Sequence, residues 1–145
     1  MPAHPPLPHP ADFPSLATDT IRYGDTDRQG HVNNAVFTTF LETGRVHLLF
    51  DPANRLPRPN TSFVLARLEV DYVAEIHWPG TVQIGSRVLE IGRSSARFAQ
   101  AIFQDGACTA RAETVVVLVD NLTHKSTPWT DAERTLMEGW RGTGR

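Results

Sequence analysis

The spacing of apolar residues along the chain changes from a helical period to an alternating one. From residue 34 to residue 50, apolar side chains recur three and four positions apart, which predicts one long central helix. Asn33 or Asn34 is a natural N-cap for this helix, and the Asp51-Pro52 pair is a natural stop. Gly44 lies in the helix interior, where glycine costs about 1 kcal/mol relative to alanine. We therefore expect another stretch of backbone to pack closely against Gly44.

Alternation of apolar and polar residues predicts strands on both sides of this helix. In residues 64–72 the even positions are apolar and positions 67, 69 and 71 carry charges, which is typical of a strand with one buried face. Residues 115–119 are apolar on both faces, so we expect their strand in the middle of the sheet. The predicted strands span residues 17–23, 64–72, 81–91, 95–103 and 107–119, with turn signals at Pro79-Gly80, Gly92-Arg93 and Asp105-Gly106.

A second, shorter helix is predicted near the C-terminus. Thr130 and Glu133 form a capping-box pattern that opens a helix ending near Trp140. The element order is therefore strand, helix, four strands, helix. Hairpin-length turns favour an antiparallel sheet, whose apolar face must be buried against the long helix, so the fold class is α+β. Because a single sheet of this kind leaves long edges exposed, we expect a homodimer.

The length and the distribution of proline divide the chain into three parts. The 145 residues are enough for one folded domain, which we place at residues 15–141. Six of the eleven prolines lie in residues 1–14. Each proline restricts the backbone and lacks an N–H donor, so we expect an extended arm in which neither helix nor sheet begins. Residues 142–145 form a short tail.

Charge and cysteine content exclude several classes of function. The formal net charge of −2 provides no overall attraction for nucleic acid or for an anionic membrane. The single cysteine, Cys108, forbids an intrachain disulfide and a cysteine-based zinc site, and it is interpreted as a small buried hydrophobe. No signal peptide or membrane-spanning run is present, so we expect a cytoplasmic protein.

Candidate chemistry is concentrated in the segment YGDTDRQGHVNN, residues 23–34, directly before the long helix. A helix start presents unpaired N–H groups and a partial positive charge, which can polarise a carbonyl. A carboxylate from Asp25 or Asp27 beside such a helix start makes a minimal hydrolytic site, with His31 as a secondary candidate for general base. The same residue types also occur in tight loops and N-caps without any catalytic role.

Metal-binding interpretations of this loop fit less well. Asp25, Asp27 and Gly30 match the opening of an EF-hand calcium loop, but Gln29 and Val36 stand where later ligands are needed. The chain also lacks a His-x-x-x-His pair. We therefore expect no metal and no other cofactor.

The chain resembles the hotdog-fold acyl-CoA thioesterases of the 4-hydroxybenzoyl-CoA thioesterase type. The resemblance covers residues 17–138 and rests on the runs YGDTDRQGHVNNAVFTTFLETGR, VARLEVDYVAEIHWPG, IGRSS and TVVVLVDNLTHKSTP. It implies a long central helix wrapped by a curved antiparallel sheet of about five strands, plus a short C-terminal helix. It also implies dimers whose sheets join edge to edge, and often tetramers.

The resemblance assigns roles to residues of the loop and the helix start. The catalytic carboxylate falls on Asp27, as nucleophile or general base, and Asp25 becomes its structural neighbour. The backbone N–H that receives the thioester carbonyl falls near Asn34. Asn33 and Phe37 become substrate-binding residues, although many family members have tyrosine at the position of Phe37.

The remaining implied contacts concern CoA. Its phosphates lie near a subunit interface in the family, where the turn that matches Arg93 and Ser94 contributes. The activity implied is the hydrolysis of acyl-CoA to a free carboxylic acid and CoA. The alternative is a non-catalytic module that binds acyl-CoA or acyl-carrier protein, because a fold does not guarantee a function.

Other residues have structural interpretations. Glu42 and Arg45 have the spacing of a surface ion pair, with Glu42 retained as a lesser catalytic alternative. The three tryptophans, Trp78, Trp129 and Trp140, are interpreted as packing residues. No G-x-S-x-G motif is present, which excludes the usual serine hydrolase elbow.

Overall fold

A computed structural model describes residues 6–142 and contains the predicted order of helices and strands. The described elements are β1 (Ser15–Thr20), α1 (Asn34–Leu49), β2 (Thr61–Tyr72), β3 (Thr81–Ile91), β4 (Ser95–Gln104), β5 (Ala107–Asp120) and α2 (Asp131–Glu138). Within the described part, none of the helices has the length and the apolar character needed to cross a membrane.

The first strand is displaced from its predicted position at residues 17–23. It ends at Thr20 because Tyr23–Asp25 form a 3-10 turn, in which the Asp25 carboxylate accepts a hydrogen bond from the Arg22 N–H at 2.8 Å. The predicted spans of the other strands are correct to within three residues. The C-terminal helix has the predicted capping box between Thr130 and Glu133 but ends at Glu138.

The five strands form one antiparallel sheet in the order β1-β3-β4-β5-β2, wrapped around α1. β5 lies between β4 and β2, so the prediction of a mid-sheet position is confirmed. This arrangement of one long helix on a curved five-stranded sheet is the hotdog fold, as the resemblance implied.

The helix α1 buries an apolar stripe against the concave face of the sheet. Phe37, Phe40 and Leu41 are almost fully buried, and they pack with Ile84 and Ile102 of the sheet. Each such side chain contributes about 1.5–3 kcal/mol through removal of its surface from water. This face of the helix therefore fixes the position of its N-terminus relative to the sheet.

Gly44 is a close-packing position, but its neighbour differs from the expected one. A Cβ atom added there would overlap with Cγ2 of Ile84 and would lie 3.1 Å from Nε2 of Gln100. The prediction of close backbone approach is thus wrong, because two side chains of the sheet occupy the space.

Strand β2 does not have the predicted buried face within a single chain. Val64 and Ala66 are exposed, and Leu68 and Val70 are only partly buried. A bulge between Leu65 and Arg67 shifts the alternation, and β2 is an edge strand with a neighbour on one side only in the described chain. The outer side of β2 is therefore one of the two sheet edges in the described chain, and β1 forms the other.

The proline-rich arm is partly described, since residues 1–5 lie outside the described range. Pro10–Asp12 form a 3-10 turn, so the expectation that no helical turn begins in the arm is wrong. Pro10 occupies the first position of the turn, where its missing N–H is not needed. Phe13 then packs edge to face on Phe103, on the side of the sheet opposite α1. The tail prediction lies outside the described residues except for Gly142.

Two of the three tryptophans are packing residues. Trp129 and Trp140 are buried in a second apolar cluster, and Trp129 Nε1 donates to the carbonyl of Ser95 at 3.0 Å. The interpretation of Trp78 as a packing residue is wrong, because its side chain is half exposed and contacts the exposed ring of Tyr23.

Candidate active site

The loop before α1 folds into a small hairpin that carries Asp27 and His31 at its neck. The Asp27 N–H donates to the His31 carbonyl at 2.9 Å, and the Gly30 N–H donates to the Asp27 carbonyl at 3.1 Å. Gly30 has a φ of 88°, in the left-handed region that glycine adopts without strain. The backbone thus places the two candidate catalytic side chains beside each other.

The Asp27 carboxylate is held by one oxygen and faces an imidazole with the other. Its Oδ1 accepts from the Gln29 N–H at 2.8 Å, and its Oδ2 lies 3.6 Å from Nδ1 of His31. The side chain is 29% exposed, so a substrate or a water molecule can reach it. The loop therefore presents an oriented carboxylate that remains accessible.

Asp25 occupies a different environment from Asp27. In addition to the Arg22 contact of its carboxylate, its carbonyl accepts the Asn33 N–H at 2.9 Å. The carboxylate of Asp25 thus stabilises the 3-10 turn, and its carbonyl holds the N-cap residue of α1. This arrangement favours a structural function for Asp25.

The helix start leaves one donor available. Asn33 Oδ1 accepts from the Ala35 N–H at 2.9 Å, and the Asn33 carbonyl accepts from the Val36 N–H at 2.9 Å. Among the described residues no acceptor receives the Asn34 N–H. A free N–H at the positive end of a helix dipole is suited to polarise a carbonyl oxygen.

Strand β2 supplies an aromatic residue that the sequence did not single out. The Tyr72 hydroxyl donates to the Asn34 carbonyl at 3.3 Å, and its ring packs edge to face against Phe37 at a centroid distance of 5.1 Å. Phe37 itself is buried, whereas Tyr72 is half exposed. The sequence shows Tyr72 only as the last residue of an alternating strand. That position does not indicate that the strand end lies beside the start of α1.

The connection between β2 and β3 contributes two further titratable residues. Glu75 Oε1 lies 3.5 Å from Nε2 of His31, and Glu75 Oε2 lies 3.6 Å from Nε2 of His77. No spacing or motif in the sequence connects Glu75 with His31, since they are 44 positions apart and only the fold brings them together.

Arg93 and Ser94 do not lie near Asp27 in the same chain. They form the turn between β3 and β4, whereas the Asp27 loop lies beside the opposite end of β3, where the Ile21 N–H donates to the Gly80 carbonyl at 2.9 Å. The length of β3 separates the two ends by about 33 Å. A single protomer therefore does not bring the predicted CoA contacts and the predicted catalytic residues together.

The predicted surface ion pair between Glu42 and Arg45 is wrong. Glu42 is exposed, whereas Arg45 is 8% exposed and donates from Nη1 to Oε1 of Gln100 at 3.3 Å. Burial lowers the pKa of the Arg45 guanidinium, and the charge of Glu42 opposes that shift. Arg45 lies four residues after Leu41 and three before Leu48, so it shares the buried stripe of the helix, where the sheet covers it.

A cavity of about 1040 Å³ lies elsewhere, between the N-terminal arm and the sheet face opposite α1. Its walls include Leu7, Phe13, Arg87 and Leu89, and no residue of the loop at 23–34 lines it. Within residues 6–142, no group of three histidine, cysteine or carboxylate side chains is arranged to hold a metal ion.

The comparisons with known proteins agree with this fold. The family model of the thioesterase-like superfamily matches residues 21–135. The chain therefore belongs to the thioesterase-like superfamily, and the prediction of a hotdog-fold thioesterase is confirmed. Thioester hydrolysis is the reaction of this class. No match was found among curated proteins.

Solved structures extend the comparison. A thioesterase from Thermus thermophilus, complexed with coenzyme A and Zn, is 30% identical, with a TM-score of 0.77 over 88% of this chain and 94% of that one. A predicted thioesterase from Bacillus stearothermophilus is 27% identical, with a TM-score of 0.80 over 90% and 98%. The PA5185 protein from Pseudomonas aeruginosa is 22% identical, with a TM-score of 0.86 over 97% and 100%, and shows the fold alone.

Proposed function

We propose that this thioesterase hydrolyses acyl-CoA to a free carboxylic acid and CoA, with Asp27 as nucleophile or general base. The observation that carries the proposal is an accessible, oriented Asp27 carboxylate in a loop that leads into a helix start with an unused Asn34 N–H. The similar Thermus thermophilus thioesterase, which was solved with coenzyme A, supports CoA as the thiol part of the substrate.

Two routes use the same residues. As general base, Asp27 accepts a proton from water, the water oxygen attacks the thioester carbonyl carbon, and the C–S bond breaks to release the CoA thiolate. As nucleophile, Asp27 forms a mixed anhydride and expels the thiolate, and water then hydrolyses the anhydride. In both routes negative charge develops on the carbonyl oxygen, where the Asn34 N–H donates. His31 is placed to exchange a proton with Asp27 Oδ2.

The helix start is the second part of the mechanism. Asn33 caps the helix by accepting the Ala35 and Val36 N–H groups, which leaves the Asn34 N–H as the available donor. Donors that stabilise an oxyanion typically contribute about 10²- to 10³-fold in rate. Because the donor at Asn34 is its backbone N–H, the Asn34 side chain is less important than the helix-start geometry that Asn33 maintains. Tyr72, backed by Phe37, provides an apolar wall beside this donor.

The separation of Arg93 and Ser94 from Asp27 supports a homodimer. If two β2 edges pair antiparallel about a two-fold axis, the far end of one sheet is carried toward the near end of the other. The partner subunit's Arg93 and the partner subunit's Ser94 then come toward the Asp27 loop, where they contact the CoA phosphates. Exposed apolar residues on β2, Val64 and Leu65, become covered in this dimer. Assembly of two such dimers gives the tetramer that the family resemblance implies.

The second candidate function is a module that binds acyl-CoA or acyl-carrier protein without hydrolysis. The accessible Asp27 carboxylate favours the enzyme, since binding alone needs no base. Thiol release measured with a panel of acyl-CoA, acyl-carrier protein and N-acetylcysteamine thioesters separates the two functions. We expect turnover of acyl-CoA that greatly exceeds turnover of the acyl-carrier protein thioester. Tight binding without thiol release on every substrate would overturn the enzymatic assignment.

A further inference from the structure

Glu75 projects from a backbone segment that is held on both sides, since before it the Ala74 N–H donates to the Thr109 carbonyl at 3.0 Å. The Ile76 carbonyl accepts from the Val32 N–H at 2.8 Å, and the Ile76 side chain is fully buried. At the next residue, the side-chain amide of Gln104 accepts from the His77 N–H at 3.0 Å and donates to the His77 carbonyl at 2.7 Å. The Glu75 carboxylate is therefore positioned by a rigid connection, although it is itself 60% exposed.

The imidazole of His31 lies between oxygen atoms from two parts of the fold. On one side, Nε2 faces Gln29 Oε1 at 3.1 Å and Glu75 Oε1 at 3.5 Å. On the other side, Nδ1 faces Asp27 Oδ2 at 3.6 Å. Gln29 and Asp27 belong to the same loop as His31, so the Glu75 carboxylate is the group that connects the ring to a different element.

We propose that Glu75 is a positioning residue for His31, an inference that rests on the proposed thioesterase function. The nitrogen of an imidazole that carries the proton is set by the hydrogen bond of the other nitrogen. With Gln29 and Glu75 as acceptors, the proton of the neutral ring resides on Nε2, and Nδ1 keeps its lone pair toward Asp27. Nδ1 then takes the proton that Asp27 has drawn from water, which restores the carboxylate, and His31 releases it to solvent between turnovers.

Replacement of Glu75 tests this function through its effect on kcat and through the dependence of that effect on His31. Glu75→Leu is expected to lower kcat about three- to fivefold, the scale of a partly exposed ion pair, with KM changed by less than about twofold. Glu75→Gln, which keeps an acceptor oxygen, is expected to recover at least half of the lost rate. In a His31→Gln background, Glu75→Leu should have no further effect. Unchanged kcat, or an equal loss in both backgrounds, would overturn the proposal.

A spectroscopic measurement tests the same proposal without any substrate. NMR of the 15N-labelled histidine rings is expected to show the Nε2–H tautomer of His31 in the wild-type protein and a mixture of tautomers in Glu75→Leu. The His31 signals are assigned by their loss in His31→Gln. Glu138→Leu, at an exposed glutamate on α2, is the matched control and should leave the His31 signals unchanged. Identical His31 signals in wild type and Glu75→Leu would refute the positioning function. A clear tautomer change in a protein that hydrolyses no thioester would instead refute the proposed activity and retain the positioning function.

Discussion

Arg45 and Gln100 meet beneath the central helix, with Nη1 of the arginine 3.3 Å from Oε1 of the glutamine. The same Oε1 accepts from the Thr114 hydroxyl at 2.9 Å, and Nε2 of Gln100 donates to the Leu41 carbonyl at 3.0 Å and to the Ser86 hydroxyl at 2.9 Å. One buried amide on β4 thus satisfies polar groups on α1 and on both neighbouring strands. It fixes the helix against the sheet more specifically than apolar packing can.

Gln100→Leu should be strongly destabilising. The substitution leaves buried polar groups of α1, β3 and β5 without partners, and each unsatisfied group costs about 1–3 kcal/mol. We expect the free energy of unfolding to fall by at least about 2 kcal/mol in urea titrations at fixed protein concentration. Gln83→Leu, on the exposed face of β3, serves as control and should change stability by less than about 0.5 kcal/mol. Similar stabilities for the two variants would contradict this account of the network.

Gly44→Ala should destabilise the protein even though alanine favours helix. The helical preference for alanine is worth about 1 kcal/mol, whereas overpacking against Ile84 costs about 1–3 kcal/mol. We expect a net loss in thermal unfolding experiments. In an Ile84→Ala background the overlap is removed, so Gly44→Ala should lose most of its cost. A stabilising effect of Gly44→Ala in the wild-type background would show that the packing relaxes freely.

Elements whose signals are local could be predicted from the sequence. The span of α1, the capping box at Thr130 and the interior place of β5 in the sheet follow from residue spacing and side-chain chemistry over short stretches of sequence. The burial of Arg45 was missed although it shares the helix face of Leu41 and Leu48, because a charged side chain is almost never fully buried unless it is paired. The exposure of β2 depends on its place at an edge and on a bulge, neither of which has a clear local signal.

The residues of the candidate site likewise include some that a local motif predicts and some that only the fold brings together. Asp27 and His31 lie four residues apart, so the loop motif was enough to predict their proximity. Tyr72 and Glu75 reach the site from β2 and the connection that follows it, and only the folded chain places them there. For long-range contacts of this kind, a single sequence carries no physical signal.

Activity should be insensitive to chelators and to loss of the only thiol. Burial raises the pKa of the Cys108 thiol, so at neutral pH little thiolate is available, and Cys108 packs with Phe13 and Phe103 on the sheet face opposite α1. Thiol-release rates are therefore expected to stay within about twofold after treatment with EDTA and in Cys108→Ser. Loss of turnover in a folded protein after either change would require a metal or a thiolate in the mechanism.

Mixed dimers test whether each site takes residues from two subunits. If Arg93 acts on the partner subunit's site, a heterodimer of Asp27→Asn and Arg93→Ala contains one doubly altered and one intact site. Random exchange makes half of the dimers heterodimers, so about a quarter of wild-type activity should return. The measurement is thiol release before and after mixing by partial denaturation and refolding.

Sedimentation should show a dimer or larger assembly, and a fully active monomer would refute the shared site.

The two loop carboxylates should separate by function, because their surroundings differ. Asp25 accepts the Arg22 N–H and holds the Asn33 N–H with its carbonyl, whereas Asp27 has one oxygen anchored and the other facing His31. Asparagine preserves the shape of either side chain but removes its charge. Asp25→Asn should therefore lower the melting temperature by a few degrees, equivalent to about 1 kcal/mol, and leave kcat nearly unchanged.

Asp27→Asn should instead act on the chemical step. An amide neither attacks the thioester carbon nor accepts a proton from water, and positioned acid–base catalysis is worth about 10²- to 10⁴-fold. We expect kcat to fall by that factor with KM little changed, because the lost interaction is specific to the transition state. Steady-state thiol release, with thermal melts of both variants, decides between the two functions. A near-normal kcat in Asp27→Asn would move the catalytic assignment to His31 or Glu42.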